Sequence, residues 1–264
     1  MSVYPFHGFR FADPKSAKIP GLTFVGWWSC HHAYGQRVTT DSGSGEARAA
    51  SMAAVQSAGI APLAQSDDAK RMRFYDVTID GVTVLHGEAT RNSELISTNA
   101  TLLGAVSGDD PSFTICGVWG GTGVFACPIS WTGAAFYEYP MHINAAGTGL
   151  RSWRYVGSTS GPTITNSASL VATPVTWCLF RNADRTQDTY IGGQYISTVT
   201  HTDFASATAV QCSTGDATSA TGDNTLAEWA IWSGVPDGAG HTVRYRAVQR
   251  IVRSMGSRFG GLAG

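Results

Sequence analysis

The chain has 264 residues, only 14% of them charged, and a formal net charge of −1. That balance excludes the electrostatic footprint of a nucleic-acid or anionic-membrane binder, and no apolar run approaches the roughly 18 residues of a membrane-spanning helix. With 43% hydrophobic residues, 31 glycines and eight tryptophans, the composition describes a folded, turn-rich β protein rather than a disordered one.

The first eleven residues hold Tyr4, Phe6, Phe9 and Phe11, with Pro5 and Gly8 breaking any helix. Met1 to Pro5 has neither a basic start nor an apolar h-region, so no signal peptide is expected. An arm this aromatic is expected to be buried, and Tyr4, Phe6, Phe9 and Phe11 are predicted as an assembly contact with a neighbouring subunit of a homo-oligomer. Gly21 to Trp28 reads as a first strand and Asp41 to Gly45 as a turn. Glu46 to Ala58 is alanine-rich and is predicted to be helical. Residues 1–69 are read as an N-terminal extension and residues 70–264 as one β domain.

From Arg71 onward strand signals recur every 10 to 20 residues or so, between Gly, Asn and Asp, the spacing of a sandwich. Arg71 to Ile79, the pair Asp80-Gly81 and Val82 to His86 predict a hairpin with a two-residue turn. Further strands are predicted at 94–97, 112–118, 123–129, 135–139, 150–156, 175–181, 189–191, 206–212 and 225–232. Gly192-Gly193 reads as a tight hairpin turn, and Gly117 to Gly123 as another. The last strand, Leu226-Ala227-Glu228-Trp229-Ala230-Ile231-Trp232, is apolar on both faces, with Leu226, Ala230 and Trp232 on one and Trp229 and Ile231 on the other. After the turn at Pro236-Asp237-Gly238, Val243, Ala247, Val248, Ile251, Val252 and Met255 fall at helical spacing between arginines. Thr242 or His241 is the expected N-cap and Gly256 the expected C-cap.

The order Leu-Ala-Glu-Trp-Ala-Ile-Trp, turn, and a helix ending in Met255-Gly256 resembles the close of concanavalin A-like (laminin-G-like) jelly-roll domains. Trp177 to Asn182 followed by Asp188 to Gln194 resembles that family's paired strands, so the likeness runs from about Ser112 to Gly260. It implies an all-β, concanavalin A-like jelly-roll sandwich with a short C-terminal helix. It also implies a structural role for Glu228, and calcium as the candidate ion; Asp109, Asp110, Asp216 and Asp223 could supply its oxygens, but solvated turn aspartates are the favoured reading of these four. No other cofactor is expected.

The chemistry-bearing residues favour binding over catalysis. No Glu-x-Asp-x-x-Glu pair of carboxylates stands on one strand; Glu138 and Glu228 each stand alone. No Gly-x-Ser-x-Gly elbow is present. Cys30-His31-His32 lacks metal-site spacing, since neighbours on a strand point to opposite faces. The five cysteines, odd in number and scattered, read as buried free thiols. Ring faces pack on the apolar side of sugars, which makes Trp119, Trp131, Tyr137, Tyr139 and Trp153 the candidate glycan-binding residues.

The resulting expectation is a non-enzymatic virion protein of a bacteriophage or phage-like particle, with other virion proteins and a host-surface glycan as partners and the virion as its location. A soluble lectin or glycan-active enzyme of the same fold class is the alternative.

Overall fold

The computed structural model describes residues 13–31, 37–39, 48–55, 60, 62–73, 77–88, 93–134, 136–155, 161–202, 208–215 and 222–262. Tyr4, Phe6, Phe9 and Phe11, the predicted assembly contact, lie outside them. The strands of the first half are β1 (Thr23–Ser29), β2 (Arg37–Thr39), β3 (Ala49–Met52), β4 (Leu63–Ala64), β5 (Thr78–Ile79), β6 (Val82–Thr83), β7 (Leu85–Gly87), β8 (Ile96–Ser97) and β9 (Phe113–Thr122). There follow β10 (Ser130–Gly133), β11 (Phe136–Ile143), β12 (Leu150–Tyr155), β13 (Thr163–Thr165), β14 (Val175–Arg181), β15 (Thr186–Ile191), β16 (Gln194–Thr200), β17 (Gln211–Ser213) and β18 (Asp223–Ser233). A short helix, α1 (Ala100–Gly104), precedes β9, and a long one, α2 (His241–Arg258), follows β18.

The strands form two large antiparallel sheets, as expected of a β-sandwich. One runs β1-β18-β9-β14-β15-β16, with β7 also on β18; the other runs β13-β12-β11-β10-β17-β8-β4-β3-β2. The strands before residue 70 are members of both sheets: β1 pairs with β18 from Thr23↔Ser233 to Ser29↔Glu228, and β2, β3 and β4 complete the far side of the second sheet. α2 packs on β14 and β9, so the first sheet lies between the second sheet and a helix. This layering explains why β18 is apolar on both faces. Among the described residues no helix is long and apolar enough to cross a membrane.

Register decides which side chains meet. Phe113, Ile115, Gly117 and Trp119 of β9 stand opposite Ser233, Ile231, Trp229 and Leu226 of β18. A bulge between Leu226 and Glu228 puts Leu226 in line with Trp229 and Ile231, not with Ala230 and Trp232 as strict alternation predicts. Trp28 stacks on Trp229 with centroids 4.1 Å apart, and Phe24 meets Trp232 edge-on at 6.2 Å.

Several local expectations are corrected. The alanine-rich stretch yields β3 rather than a helix, because Ala49 and Met52 are buried and the backbone pairs with β2 and β4. Sheet pairing there outweighs alanine's helix propensity, which is a weak prior. Gly117 to Gly121 continue β9 instead of turning. A Cβ on Gly117 would meet the Glu228 carbonyl at 2.4 Å, and one on Gly121 the Trp119 ring at 2.4 Å. These glycines make room for indoles. The stretch 123–129 is not a strand. The Asp80-Gly81 and Gly192-Gly193 turns hold, each with two positive φ values (48° and 75°; 56° and 74°), as two-residue hairpin turns require.

α2 starts at His241 with Gly240 at the N-cap position and no side-chain cap, and it runs through Gly256 to Arg258. Gly256 therefore is not a C-cap. Its missing side chain lets the helix approach the Leu262 carbonyl and Thr176, which a Cβ would meet at 2.2 and 2.9 Å. Val243 is exposed, and Tyr245 takes the first inward position, stacked on Tyr190 at 4.0 Å.

Candidate functional site

Strands β11 and β12 place two unlike sets of side chains on their two faces. Their register pairs Glu138 with Arg154 and Tyr139 with Trp153. Because side chains alternate along a strand, Glu138 and Arg154 point one way, and Tyr137, Tyr139 and Trp153 the other.

The inward set is ionic. Glu138 Oε1 lies 2.8 Å from Arg181 on β14, and Oε2 lies 3.6 Å from Arg154, all three side chains being fully buried. Arg181 also donates to Gln187 Oε1 at 2.9 Å, and Gln187 donates to the Pro140 carbonyl at 2.8 Å. Ser152 Oγ donates to Gln187 Oε1 at 3.1 Å and sits 3.1 Å from His201 Nε2. Burial pulls the Arg181 guanidinium below its ordinary value, and Glu138 partly offsets that. Burial, with Arg181 and Arg154 nearby, drives the His201 imidazole down to about 2, so it stays neutral. A network this enclosed ties the two sheets together. It holds Glu138 as a structural carboxylate, unavailable to a substrate.

The outward set is aromatic. Tyr139 and Trp153 stack with centroids 5.7 Å apart and planes 29° from parallel. His142 lies 5.5 Å from Tyr139 and 5.9 Å from Trp153. Phe125 stacks on His142 at 6.0 Å and on Trp153 at 6.5 Å. Tyr139 and His142 are buried beneath this group, Trp153 is half-buried, and Tyr137 is 38% exposed. Phe125 reaches its place with φ at 61°, a region that bulky residues rarely occupy. Backbone bonds hold it there: Phe125 N donates to the Ile143 carbonyl, and Ile143 N to the Ala126 carbonyl, each at 2.9 Å. Beside this face, Gly121, Thr122, Gly123, Ile143, Gly147, Ala168, Ser169 and Ala172 line a pocket of about 250 Å³.

Of the five aromatic residues expected to bind glycan, the fold brings together Tyr137, Tyr139 and Trp153. It separates Trp119 and Trp131, which are fully buried between the sheets. Trp119 Nε1 donates to Asn224 Oδ1 at 3.0 Å, and Trp131 meets Phe113 edge-on at 5.4 Å. Both are core residues, because the alternation of β9 and β10 turns them inward. Phe125 and His142 belong to the outward cluster although no sequence pattern marked them. The nearest signal was Tyr137-x-Tyr139-x-x-His142, in which a bulge after Tyr139 returns His142 to the same face.

The remaining candidates are placed as follows. Glu228 is enclosed: Trp27 Nε1 donates to Oε1 at 2.6 Å, Ser29 Oγ to Oε2 at 3.3 Å, and Arg258 Nε to Oε2 at 2.9 Å. Burial raises its carboxyl, and these donors counter the rise. Asp110 accepts from Arg185 Nε at 2.8 Å, Asp223 is exposed, and Asp216 lies outside the described residues. Cys30 is buried, and His31 meets Phe259 edge-on. Among the described residues no three His, Cys, Asp or Glu side chains gather as a metal site.

No family profile matches the sequence, and no curated protein matches it. Solved structures do resemble the fold. An arabinofuranosidase in complex with arabinofuranosyl-α-1,2-xylobiose aligns with a TM-score of 0.60 at 16% identity, over 89% of this chain and 63% of that one. A GH54 α-L-arabinofuranosidase soaked with a cyclic sulfate inhibitor gives 0.54 at 12% identity, over 90% and 63%. A GH54 enzyme variant soaked with 4-nitrophenyl α-L-arabinofuranoside gives 0.52 at 12%, over 90% and 63%. The chain thus spans less than two thirds of the length of these structures, and at such identities the likeness is one of fold. These neighbours overturn the expectation of a non-enzymatic virion protein, which rested on analogy with phage proteins and on a missing carboxylate pair. The missing pair was a weak argument in physical terms: a sandwich brings together side chains from different strands, so spacing along one strand does not exhaust the pairs that can form. The chain shares the jelly-roll-like β-sandwich of glycoside hydrolases.

Proposed function

We propose that the chain is a glycan-active β-sandwich domain that engages arabinofuranose-bearing glycans through the aromatic face of β11 and β12. The observation that carries this reading is the convergence of Tyr137, Tyr139 and Trp153 on one sheet face, with Tyr137 exposed and the Trp153 ring half-open. Sugar rings have an apolar face of C–H groups, and aromatic rings meet such faces by stacking while polar edges keep contact with water. The ionic network beneath, from Glu138 to Arg181, keeps the two strands rigid, which limits the entropy lost on binding. Support for the sugar class comes from the fold shared with arabinofuranosidases, whose structures contain arabinofuranosyl ligands.

Hydrolysis of a glycosidic bond needs two carboxyl groups flanking it, about 5 to 9.5 Å apart. Glu138 and Glu228 are assigned structural roles, so catalysis on this reading falls to other carboxylates. The test is the purified chain against arabinoxylan and 4-nitrophenyl α-L-arabinofuranoside. Retention of the protein by arabinoxylan in affinity electrophoresis, lost in Trp153→Ala, supports the reading. No retention by arabinoxylan and no release of nitrophenol contradict it.

A further inference from the structure

Cys116 on β9 and Cys178 on β14 are direct Cα partners in the centre of the first sheet, and both are fully buried. Their Sγ atoms lie 2.6 Å apart. Non-bonded heavy atoms usually keep about 3.5 Å or more between them, so the two sulfurs are pressed together. Residues directly opposite on antiparallel strands have Cα atoms about 4.5–5.5 Å apart, inside the roughly 4.4–6.8 Å that a disulfide spans. Closing the bond therefore needs no change of strand register. Cys30 and Cys212 are placed differently: Cys30 Sγ faces the Leu226 carbonyl at 3.4 Å, and Cys212 stands on β17 in the other sheet.

We propose that Cys116 and Cys178, free thiols in this structure, are a cross-strand disulfide site that a small disulfide oxidant such as glutathione disulfide closes. One cysteine thiolate attacks the oxidant and displaces one glutathione thiolate, leaving a mixed disulfide. The second cysteine thiolate attacks the protein sulfur of that mixed disulfide and displaces the other glutathione. Two cysteine thiols and one glutathione disulfide become one protein disulfide and two reduced glutathiones; the two cysteine protons end on the released thiolates.

The fold sets when this happens. α2 packs over β9 and β14, and burial pushes the Cys178 thiol well up, with Cys116 adding to the rise. Thiolate is the reactive form, so the folded core resists oxidation. The bond closes while β9 and β14 are paired and α2 is not yet docked. Once closed, it is shielded from reductants by the same helix. The two cysteines are 62 positions apart, and the segment between them contains β10 to β13, including the aromatic face. A cross-link there confines that whole segment in the unfolded chain.

The wild-type chain is refolded in parallel in a glutathione redox buffer and in dithiothreitol, then alkylated in denaturant without further reductant and weighed intact. The expected result is three alkylated cysteines of the five after oxidative refolding, and five after reductive refolding. Proteolysis of the oxidised sample should yield one cross-linked peptide pair holding Cys116 and Cys178. Cys178→Ala should give four alkylated cysteines from both buffers, and because the count is made in denaturant it does not depend on that variant folding. Five alkylated cysteines in the oxidised wild type, a stable glutathione adduct, or a cross-link that joins other cysteines overturns the proposal.

Discussion

Arg258 Nε donates to Glu228 Oε2 at 2.9 Å, and Arg258 also bonds Oε1, so the last turn of α2 is fastened to the middle of β18. The Trp27 indole shares the same carboxylate and lies 5.3 Å beneath the guanidinium, which brings β1 into the clamp. Three elements from opposite ends of the chain thus meet at one buried carboxylate. Removing one partner leaves the other charge uncompensated in the core. Glu228→Gln should lower stability by about 3–5 kcal/mol. In a double-mutant cycle with Arg258→Met, the double variant should be less destabilised than the sum of the single ones. Urea unfolding of the four proteins measures this, and additive losses would show that the clamp is not a coupled unit.

Trp232 of β18 is buried, with Phe24 against its edge. Trp232→Ala should cost about 3–5 kcal/mol, as truncations of buried large rings do. Unchanged thermal unfolding would place this strand outside the core.

His201 supplies the pH dependence. Its folded value near 2 lies far below the ordinary 6.5, owing first to burial and then to Arg181 and Arg154. The unfolded chain therefore binds a proton that the folded chain refuses. This stability term is fully present above pH 6.5 or so and is lost progressively as pH falls towards 2. Each pH unit in that window costs about 1.4 kcal/mol at most. His201→Gln should flatten the slope of unfolding free energy between pH 6 and 4, whatever its effect at pH 7. An unaltered slope would mean that the imidazole titrates normally in the fold.

Much of the first sheet was legible in the sequence, and the reason is local. β14 and β18 are runs of apolar residues bounded by turn chemistry, and β15 and β16 meet at a Gly-Gly turn that demands positive φ. What was not legible depends on contacts made at a distance. Gly117 and Gly121 look like turn residues until the Glu228 carbonyl and the Trp177 indole are seen to crowd the first, and the Trp119 ring to occupy the side-chain space of the second. The stretch around Ala49 has helical propensity, and only pairing with β2 and β4 makes it a strand. The phase of alternation also waits for the fold. Trp131 turns inward to Phe113, while Tyr137 and Tyr139, on the next strand, turn outward. Phe125 joins them only because its backbone bonds to Ile143 hold it at positive φ.

The aromatic face should be separable from the core. Tyr137 is the exposed member, so Tyr137→Ala should leave the melting temperature within a degree or two of wild type, as surface changes usually do. Differential scanning calorimetry checks this, and a loss comparable to that of Trp232→Ala would make Tyr137 a packing residue.

Titration calorimetry of wild type, Tyr137→Ala and Trp153→Ala with arabinoxylan oligosaccharides tests whether the β11–β12 face binds the sugar. Wild type should bind saturably and each variant should lose about tenfold or more in affinity, equivalent to roughly 1.4 kcal/mol, with all three proteins folded. Absence of binding by the folded wild type, or equal affinity in all three, would contradict it.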